Sequence, residues 1–214
     1  MGTLRLLVAG GAEIARKGLC AVVREQPGWD LAAEVRDGRE AVERTKQLKP
    51  DVAIMDIDLP SLNGLDATRQ ITKSALRTQV LLLAPHDTDQ LLPQALEAGA
   101  RGYLLKSDTT EDLISAVEAL RHGRSFFTSR VPQEVVSGYL ETLKKSKDSL
   151  RLTGREREVV QLLAEGHSSK RVAIGLNIST KTAETHRTNI MRKIGCHSVT
   201  GLVRYAIRNH IIEA

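Results

Sequence analysis

The sequence is poor in cysteine, in aromatic residues and in long apolar runs, and each shortage excludes a class of protein. Its two cysteines, Cys20 and Cys196, lie far apart, which argues against a disulfide scaffold and against a zinc site built from cysteines. Aromatic residues make up 3% of the chain, too few for a platform that stacks single-stranded nucleic acid. The longest apolar run, residues 80–84, has the length of a strand and is far below the roughly 20 residues that span a bilayer.

The rest of the composition describes a globular chain. Its 214 residues are 41% hydrophobic and 27% charged, unlike a disordered chain, and they allow one domain or two small ones. Residues 1–5 lack the layout of a signal peptide. We therefore expect a cytoplasmic protein with no membrane partner.

Charge is distributed unevenly along the chain, whose total net charge is +5. Residues 150–214 carry 11 lysines and arginines against five acidic residues, a net charge of +6. The other 149 residues carry 20 basic and 21 acidic side chains. A near-neutral front followed by a basic end predicts two domains, of which the second has a polyanionic partner.

Residues 1–127 show five strand–helix units. Short apolar strands are predicted at residues 4–9, 31–35, 52–55, 80–84 and 102–105, and helices at 14–24, 41–48, 65–71, 91–98 and 113–120. Apolar strands that alternate with helices predict an α/β domain with a flavodoxin-like, doubly wound, five-stranded parallel sheet. Such a sheet places functional residues at the carboxyl ends of its strands.

The second half of the chain is predicted to be helical. Residues 128–150 are interpreted as a linker, with an amphipathic helix at 131–143 and a polar loop at 144–149. Residues 151–214 then predict an all-α domain of four helices. Three of them have clear starts: a T-x-x-E capping box at Thr153 and Glu156, Ser168 or Ser169, and Ser179.

A short helix, a tight turn and a longer polar helix are the pattern of a helix-turn-helix. On the longer helix, from residue 180 to 193, the apolar face holds Ala183, Ile190 and Ile194. The opposite face suits phosphates and base edges and holds Lys181, Glu184, Thr185, Thr188 and Arg192, with Lys170, Arg171, Arg187 and Lys193 beside it. The alternatives are an ordinary solvated helix and a bundle that binds protein.

Two segments, residues 152–166 and 181–195, resemble the first helix and the recognition helix of LuxR-type DNA-binding domains. Gly154 stands where proline is usual in that family. The resemblance implies a double-stranded DNA partner and a homodimer. It assigns base contacts to Glu184, Thr185 and Thr188, backbone contacts to Lys170, Lys181, Thr182, Arg187 and Lys193, and dimer contacts in the last helix to Val199, Leu202, Val203 and Ala206.

Two residues of the recognition helix have alternative interpretations. His186 falls between the two faces, and we interpret it as a packed, hydrogen-bonded histidine rather than a pH switch. Glu184 either accepts a hydrogen bond from cytosine N4 or restrains non-specific binding.

The front domain resembles the receiver domain of two-component response regulators, through residues 51–60, Asn63-Gly64 and residues 99–106. With the LuxR-type end, the domain order is that of the NarL/FixJ family. The resemblance implies that Asp56 is the phosphoacceptor, that Lys106 pairs with the phosphoryl group, and that Tyr103 moves with a hydroxyl residue.

Three parts of a working receiver are missing. Gly10 and Gly11 stand where an acidic pair should hold Mg²⁺, and Ala84 stands where a hydroxyl should bind the phosphoryl group. Asp58 adds a carboxylate that either partly replaces the acids or points to solvent. A sliding misalignment would explain the pattern, but the nearest acid, Glu13, is too far along the chain. We therefore predict an atypical receiver.

The combined prediction is a bacterial DNA-binding transcription regulator that is not an enzyme and needs no cofactor. It is dimeric and independent of conventional Mg²⁺-dependent phosphorylation, with a direct salt bridge between Lys106 and Asp56. The alternative is a conventional response regulator, activated by a sensor kinase at Asp56, with Mg²⁺ as cofactor. Control by a small ligand at the receiver, or a constitutive dimer through the receivers, also stays open.

Overall fold

The computed structural model describes residues 2–74, 77–85, 91–128 and 152–213. The chain divides into two compact units, Met1–Ser146 and Lys147–Ala214. The predicted linker helix at 131–143 and loop at 144–149 lie outside the described residues. Within the described ranges, none of the helices combines the length and the apolarity needed to cross a membrane.

The described part of the first unit alternates strands with helices around one parallel sheet. The helices are α1 (Glu13–Glu25), α2 (Gly38–Leu48), α3 (Gly64–Lys73), α4 (Leu91–Ala98) and α5 (Thr110–Arg121). The strands are β1 (Leu4–Ala9), β2 (Trp29–Val35), β3 (Val52–Asp56), β4 (Gln79–Ala84), β5 (Gly102–Leu105) and β6 (Phe126–Phe127). They pair in the order β2-β1-β3-β4-β5-β6, which confirms the predicted doubly wound α/β fold.

The sheet has one strand more than the predicted five. The added strand, β6, pairs with β5 through Gly102 with Phe126 and Tyr103 with Phe127. Two residues are too few to show a strand periodicity, so the sequence pattern gave no sign of β6. The next residue, Thr128, donates its backbone N–H to the carbonyl oxygen of Tyr103 at 3.2 Å, which continues the contact with β5.

Both faces of the sheet are buried against helices, as the apolar strands require. Leu7, Ala53 and Leu82 belong to one core cluster, and Leu6 and Ile54 belong to the other. The central strand β3 is buried along its whole length. Asp56 therefore ends its strand inside the domain, with 3% of its surface exposed.

Two glycines let helices approach the backbone beside this site. A Cβ atom added at Gly64 would lie 2.2 Å from the carbonyl oxygen of Asp56, and one added at Gly38 would lie 1.7 Å from that of Leu62. No side chain fits at such distances. The starts of α3 and α2 can thus pack directly on the segment that follows β3, which holds this edge of the sheet in place.

The second unit is helical throughout its described elements, as predicted. It consists of α6 (Gly154–Ala164), α7 (Ser169–Leu176), α8 (Thr180–Lys193) and α9 (Val199–Arg208). Thr153 and Glu156 form the predicted capping box at α6, and Ser168 and Ser179 cap α7 and α8. The helices enclose one core, which includes Val159, Val160, Ala183, Ile190 and Leu202.

Gly175 lies inside α7 and gives a stability prediction. A Cβ atom there would meet only Leu162 Cδ1 at 3.9 Å, an ordinary contact. We expect Gly175→Ala to raise the free energy of unfolding by about 0.5–1 kcal/mol, because alanine loses less backbone entropy in a helix. The measurement is hydrogen exchange of α6–α9 peptides in the full chain under increasing urea.

Gly201, in the first turn of α9, is the matched control. Its Cβ would lie 3.1 Å from Cys196 Cβ and 3.3 Å from Ser198 Oγ, so we expect no such gain from Gly201→Ala. Equal stabilisation by both substitutions would contradict the steric argument.

Candidate functional site

A buried carboxylate and a lysine meet at the carboxyl ends of the central strands. Lys106 Nζ lies 3.4 Å from Asp56 Oδ2 and 3.8 Å from Asp58 Oδ2. The backbone N–H of Lys106 donates to the carbonyl oxygen of Ala84 at 2.7 Å, which fixes the lysine's loop to β4. The salt bridge predicted between Lys106 and Asp56 is therefore present. Asp58 faces the lysine, which decides against the alternative that its side chain points to solvent.

Gly10 lies directly beside the Asp56 carboxylate, and Gly11 lies beside the backbone of Asp58. A Cβ atom at Gly10 would be 3.3 Å from Asp56 Oδ2, and one at Gly11 would be 3.5 Å from the carbonyl oxygen of Asp58. Neither glycine has a positive φ, so the backbone there accepts other residues. The backbone conformation thus does not impose glycine at either position, although the 3.3 Å contacts of an added Cβ would require neighbouring atoms to shift slightly.

The side chains at this edge do not fit the Mg²⁺ ion that receiver domains use. Mg²⁺ prefers carboxylate oxygens in octahedral geometry. Here Asp56 and Asp58 both face the Lys106 ammonium, and the two glycines supply no side-chain oxygen. In the described ranges, no group of three or more His, Cys, Asp or Glu residues could hold a metal ion.

The two remaining switch positions are buried in the neighbouring strands β4 and β5. Ala84 ends β4 and Tyr103 lies in β5, and both are fully buried in the same core cluster. A methyl group at Ala84 cannot hydrogen-bond a phosphoryl group. Position 84 therefore does not supply the hydroxyl that was expected to move with Tyr103.

Arg16 is a buried charge beside this site that the sequence pattern did not single out. Although 2% exposed, it donates from Nε to Glu34 Oε1 at 2.9 Å and from Nη1 to the carbonyl oxygen of Gly10 at 2.8 Å. The hydrogen bond from Arg16 lowers the pKa of Glu34 below its ordinary value. Arg16 thus ties α1 to β2 and to the end of β1.

The longer helix of the second unit presents the two predicted faces. Ala183 and Ile190 are buried in the core, and Ile194 packs against it. The opposite side chains are exposed: Lys181, Thr182, Glu184, Thr185, Thr188 and Arg192. Lys170 and Arg171 are exposed on α7, whereas Arg187 and His186 are half-buried. The arrangement leaves one side of α8 open to a partner; the individual DNA contacts stay predictions.

Lys193 differs from the other cations of this helix because it has a carboxylate partner. Its Nζ donates to Glu156 Oε2 at 2.8 Å, and 27% of its side chain is exposed. Glu156 also caps α6, since the backbone N–H of Thr153 donates to Oε2 at 2.7 Å. The lysine is thus engaged within the domain, which argues against its predicted contact with a DNA phosphate.

The Glu156 carboxyl gives a pH prediction. Partial burial raises its pKa, but hydrogen bonds from Lys193 and Thr153 outweigh burial and hold the pKa below its ordinary value of 4.5. A lowered pKa in the folded state stabilises the fold above pH 4.5, and this stability disappears as pH falls through the folded-state pKa. We expect Glu156→Gln to flatten the acid limb of unfolding, measured by hydrogen exchange of α6 and α8 peptides between pH 7 and pH 3. An unchanged acid limb would contradict the prediction.

The burial of two residues in the last helix, α9, contradicts part of the predicted dimer surface. Leu202 and Ala206 are 1% and 0% exposed and fill the core of their own unit. Their side chains therefore cannot contact a second copy through α9. Val199 is 50% exposed and Val203 is half-buried, so only these two of the four present surface.

Comparisons with known proteins match both units. The family described as "Response regulator receiver domain" matches residues 6–118, and "Bacterial regulatory proteins, luxR family" matches residues 150–206. The first match covers the Asp56 pocket and the second covers α6, α7 and α8.

Similar proteins share nearly the whole length of the chain. The transcriptional regulatory protein MctR of Rhizobium johnstonii is 32% identical over 98% of this chain and 96% of its own. The oxygen regulatory protein NreC of Staphylococcus aureus is 32% identical over 98% of this chain and all of its own. A solved complex of the two-component response regulator RcsB with DNA is 25% identical with a TM-score of 0.56, and covers 97% of this chain and 99% of RcsB.

Proposed function

Since the chain belongs to the response regulators that join a receiver domain to a LuxR-type DNA-binding domain, and is a DNA-binding transcription regulator, we propose that it binds DNA as a homodimer without conventional Mg²⁺-dependent phosphorylation. Because its partner is DNA, we propose that the protein acts in the cytoplasm. The proposed domains are residues 1–127, 128–150 and 151–214.

One observation is the main support for the proposed independence from phosphorylation. Gly10 lies beside Asp56 and Gly11 lies beside the Asp58 backbone, and neither offers a carboxylate that would hold a metal ion to neutralise an incoming phosphoryl group. Ala84 supports the same proposal, because a phosphorylated Asp56 would find no hydroxyl to bind. Lys106 neutralises Asp56 directly at 3.4 Å, which gives the pocket a stable resting state.

The proposed DNA surface is the exposed side of α8. Its cations neutralise phosphates and its short polar side chains contact base edges. We assign base contacts to Glu184, Thr185 and Thr188, and backbone contacts to Lys170, Lys181, Thr182, Arg187 and Arg192. Val199 and Val203 are the proposed dimer contacts.

The second candidate is a conventional response regulator. Asp56, Lys106 and Tyr103 favour it, because they stand at the positions of the phosphoacceptor, its lysine partner and the switch aromatic. Under this candidate a sensor kinase phosphorylates Asp56, and DNA binding rises after phosphorylation.

Three measurements on the purified, unmodified full chain test the proposal, and the phosphate-affinity gel decides between the two candidates. A gel-shift titration against promoter DNA is expected to show binding that weakens steeply as salt rises. A phosphate-affinity gel after incubation with acetyl phosphate and Mg²⁺ is expected to show one unmodified band. Stoichiometric modification that Asp56→Asn abolishes would favour the conventional regulator. Sedimentation of the same sample measures the dimer.

A further inference from the structure

The first turn of α6 holds the recognition helix α8 at its far end. Glu156 lies at the third position of α6, and its Oε2 accepts from Lys193 Nζ at 2.8 Å, 37 residues along the chain. Lys193 is the last residue of α8. A charge-assisted hydrogen bond at this length is among the stronger polar contacts in a protein.

The same turn holds the connection that leads into α8. Arg155 donates from Nη2 to the carbonyl oxygen of Leu176 at 2.6 Å, at the end of α7, and from Nη1 to Glu158 Oε2 at 2.9 Å. The next residue, Asn177, has φ +52°, which turns the chain toward α8. Two adjacent residues of α6, Arg155 and Glu156, thus hold the start of the turn before α8 and the end of α8 itself.

To contact a DNA phosphate, Lys193 would have to give up its hydrogen bond with Glu156. The lysine side chain is 27% exposed, and the same Glu156 oxygen also accepts from the backbone N–H of Thr153. If Lys193 turned to the DNA, the half-buried Glu156 carboxylate would lose its cationic partner. Because 18% of the Glu156 side chain is exposed, losing this partner costs only part of the free energy that stranding a fully buried charge would cost.

We propose that Glu156 is a positioning residue for DNA recognition, and that Lys193 acts through Glu156 rather than through a phosphate. The proposal rests on DNA binding by α8. Hydrogen bonds to base edges need donor–acceptor distances near 3 Å, so a small change in the orientation of α8 weakens several of them together. Glu156 influences affinity by this route although it lies on another helix.

Salt dependence separates a positioning role from a phosphate contact. Each neutralised phosphate contributes about −0.9 to the slope of log K against log salt. We therefore compare Lys193→Met, Glu156→Gln and their double variant with Lys181→Met, which serves as the phosphate-contact reference. Glutamine keeps the capping box, because its side-chain oxygen also accepts from the Thr153 N–H.

Lys181→Met is expected to lower the slope by about 0.9. Lys193→Met and Glu156→Gln are each expected to weaken operator binding about tenfold with an unchanged slope, and the double variant is expected to bind no more weakly than either. Hydrogen exchange of the α8 peptide should rise equally in all three. Faster exchange confined to α8 would show that this helix is held less firmly while the rest of the unit remains folded.

The proposal is overturned if Lys193→Met lowers the slope by about one, or if Glu156→Gln binds like the unsubstituted chain, or if the two losses add. Failure of DNA binding itself is a separate result: the unsubstituted chain and Lys181→Met would then both show no salt-dependent shift. The two failures are therefore distinguishable on one set of gels.

Discussion

A Gly10→Asp/Gly11→Asp variant is expected to become labelled on Asp56 by acetyl phosphate and Mg²⁺, whereas the unsubstituted chain stays unlabelled. The carboxylate added at position 10 would lie beside Asp56, since a Cβ at Gly10 lies 3.3 Å from its Oδ2, and the one added at position 11 would lie beside the Asp58 backbone. Neither backbone position has a positive φ that resists a side chain. A metal ion stabilises developing charge by several kcal/mol, so we expect the labelling rate to rise by about 100-fold or more.

The measurement is a phosphate-affinity gel over time, with and without Mg²⁺. The matched control is Gly10→Asn/Gly11→Asn, which has nearly the same bulk without the charge and should stay unlabelled. Adding Asp56→Asn to the aspartate variant should abolish the label. Equal labelling of the unsubstituted chain and the aspartate variant would show that the acids are not what the pocket lacks.

Lys181→Glu is expected to weaken DNA binding about 100-fold near 0.1 M salt. Lys181 is exposed in the first turn of α8 and belongs to the proposed DNA surface. One phosphate contact contributes roughly tenfold at this salt, and the inverted charge adds repulsion of similar size. The fold should tolerate the change, because a carboxylate near a helix N-terminus is favourable.

Arg208→Glu is the control for this experiment. Arg208 is exposed in the last turn of α9 and lies outside the proposed DNA surface, yet the substitution changes the net charge equally. We expect less than about a threefold loss, because charges beyond a Debye length of about 10 Å are largely screened. Equal losses from both substitutions would mean that net charge, and not the α8 surface, determines the affinity.

Local signals of this chain were sufficient for most of the fold. The apolar run at β5 and the capping box of Thr153 and Glu156 lie where the sequence predicts them, because each depends on neighbours within a few residues. The meeting of Asp56 with Lys106 follows from parallel topology together with the family resemblance, since both follow the carboxyl ends of central strands.

Contacts between distant residues were not accessible in the same way. The partner of Lys193 is 37 residues away, and no periodicity connects it to Glu156. The hydrogen bonds of Arg16 were not predicted either, because its partners, Glu34 and Gly10, belong to other elements. The family resemblance assigned Leu202 and Ala206 to the dimer, and the amphipathic pattern of the helix does not reveal which of its apolar residues its own domain covers.

The φ angles at Gly10 and Gly11 have an evolutionary consequence. The loop after β1 has kept a conformation that any residue can adopt, and α1 remains anchored to it through Arg16 and the Gly10 carbonyl oxygen. Every glycine codon is a single-base change away from an acidic codon. Under the proposed function, two single-base changes would therefore be enough to place acidic residues at both positions.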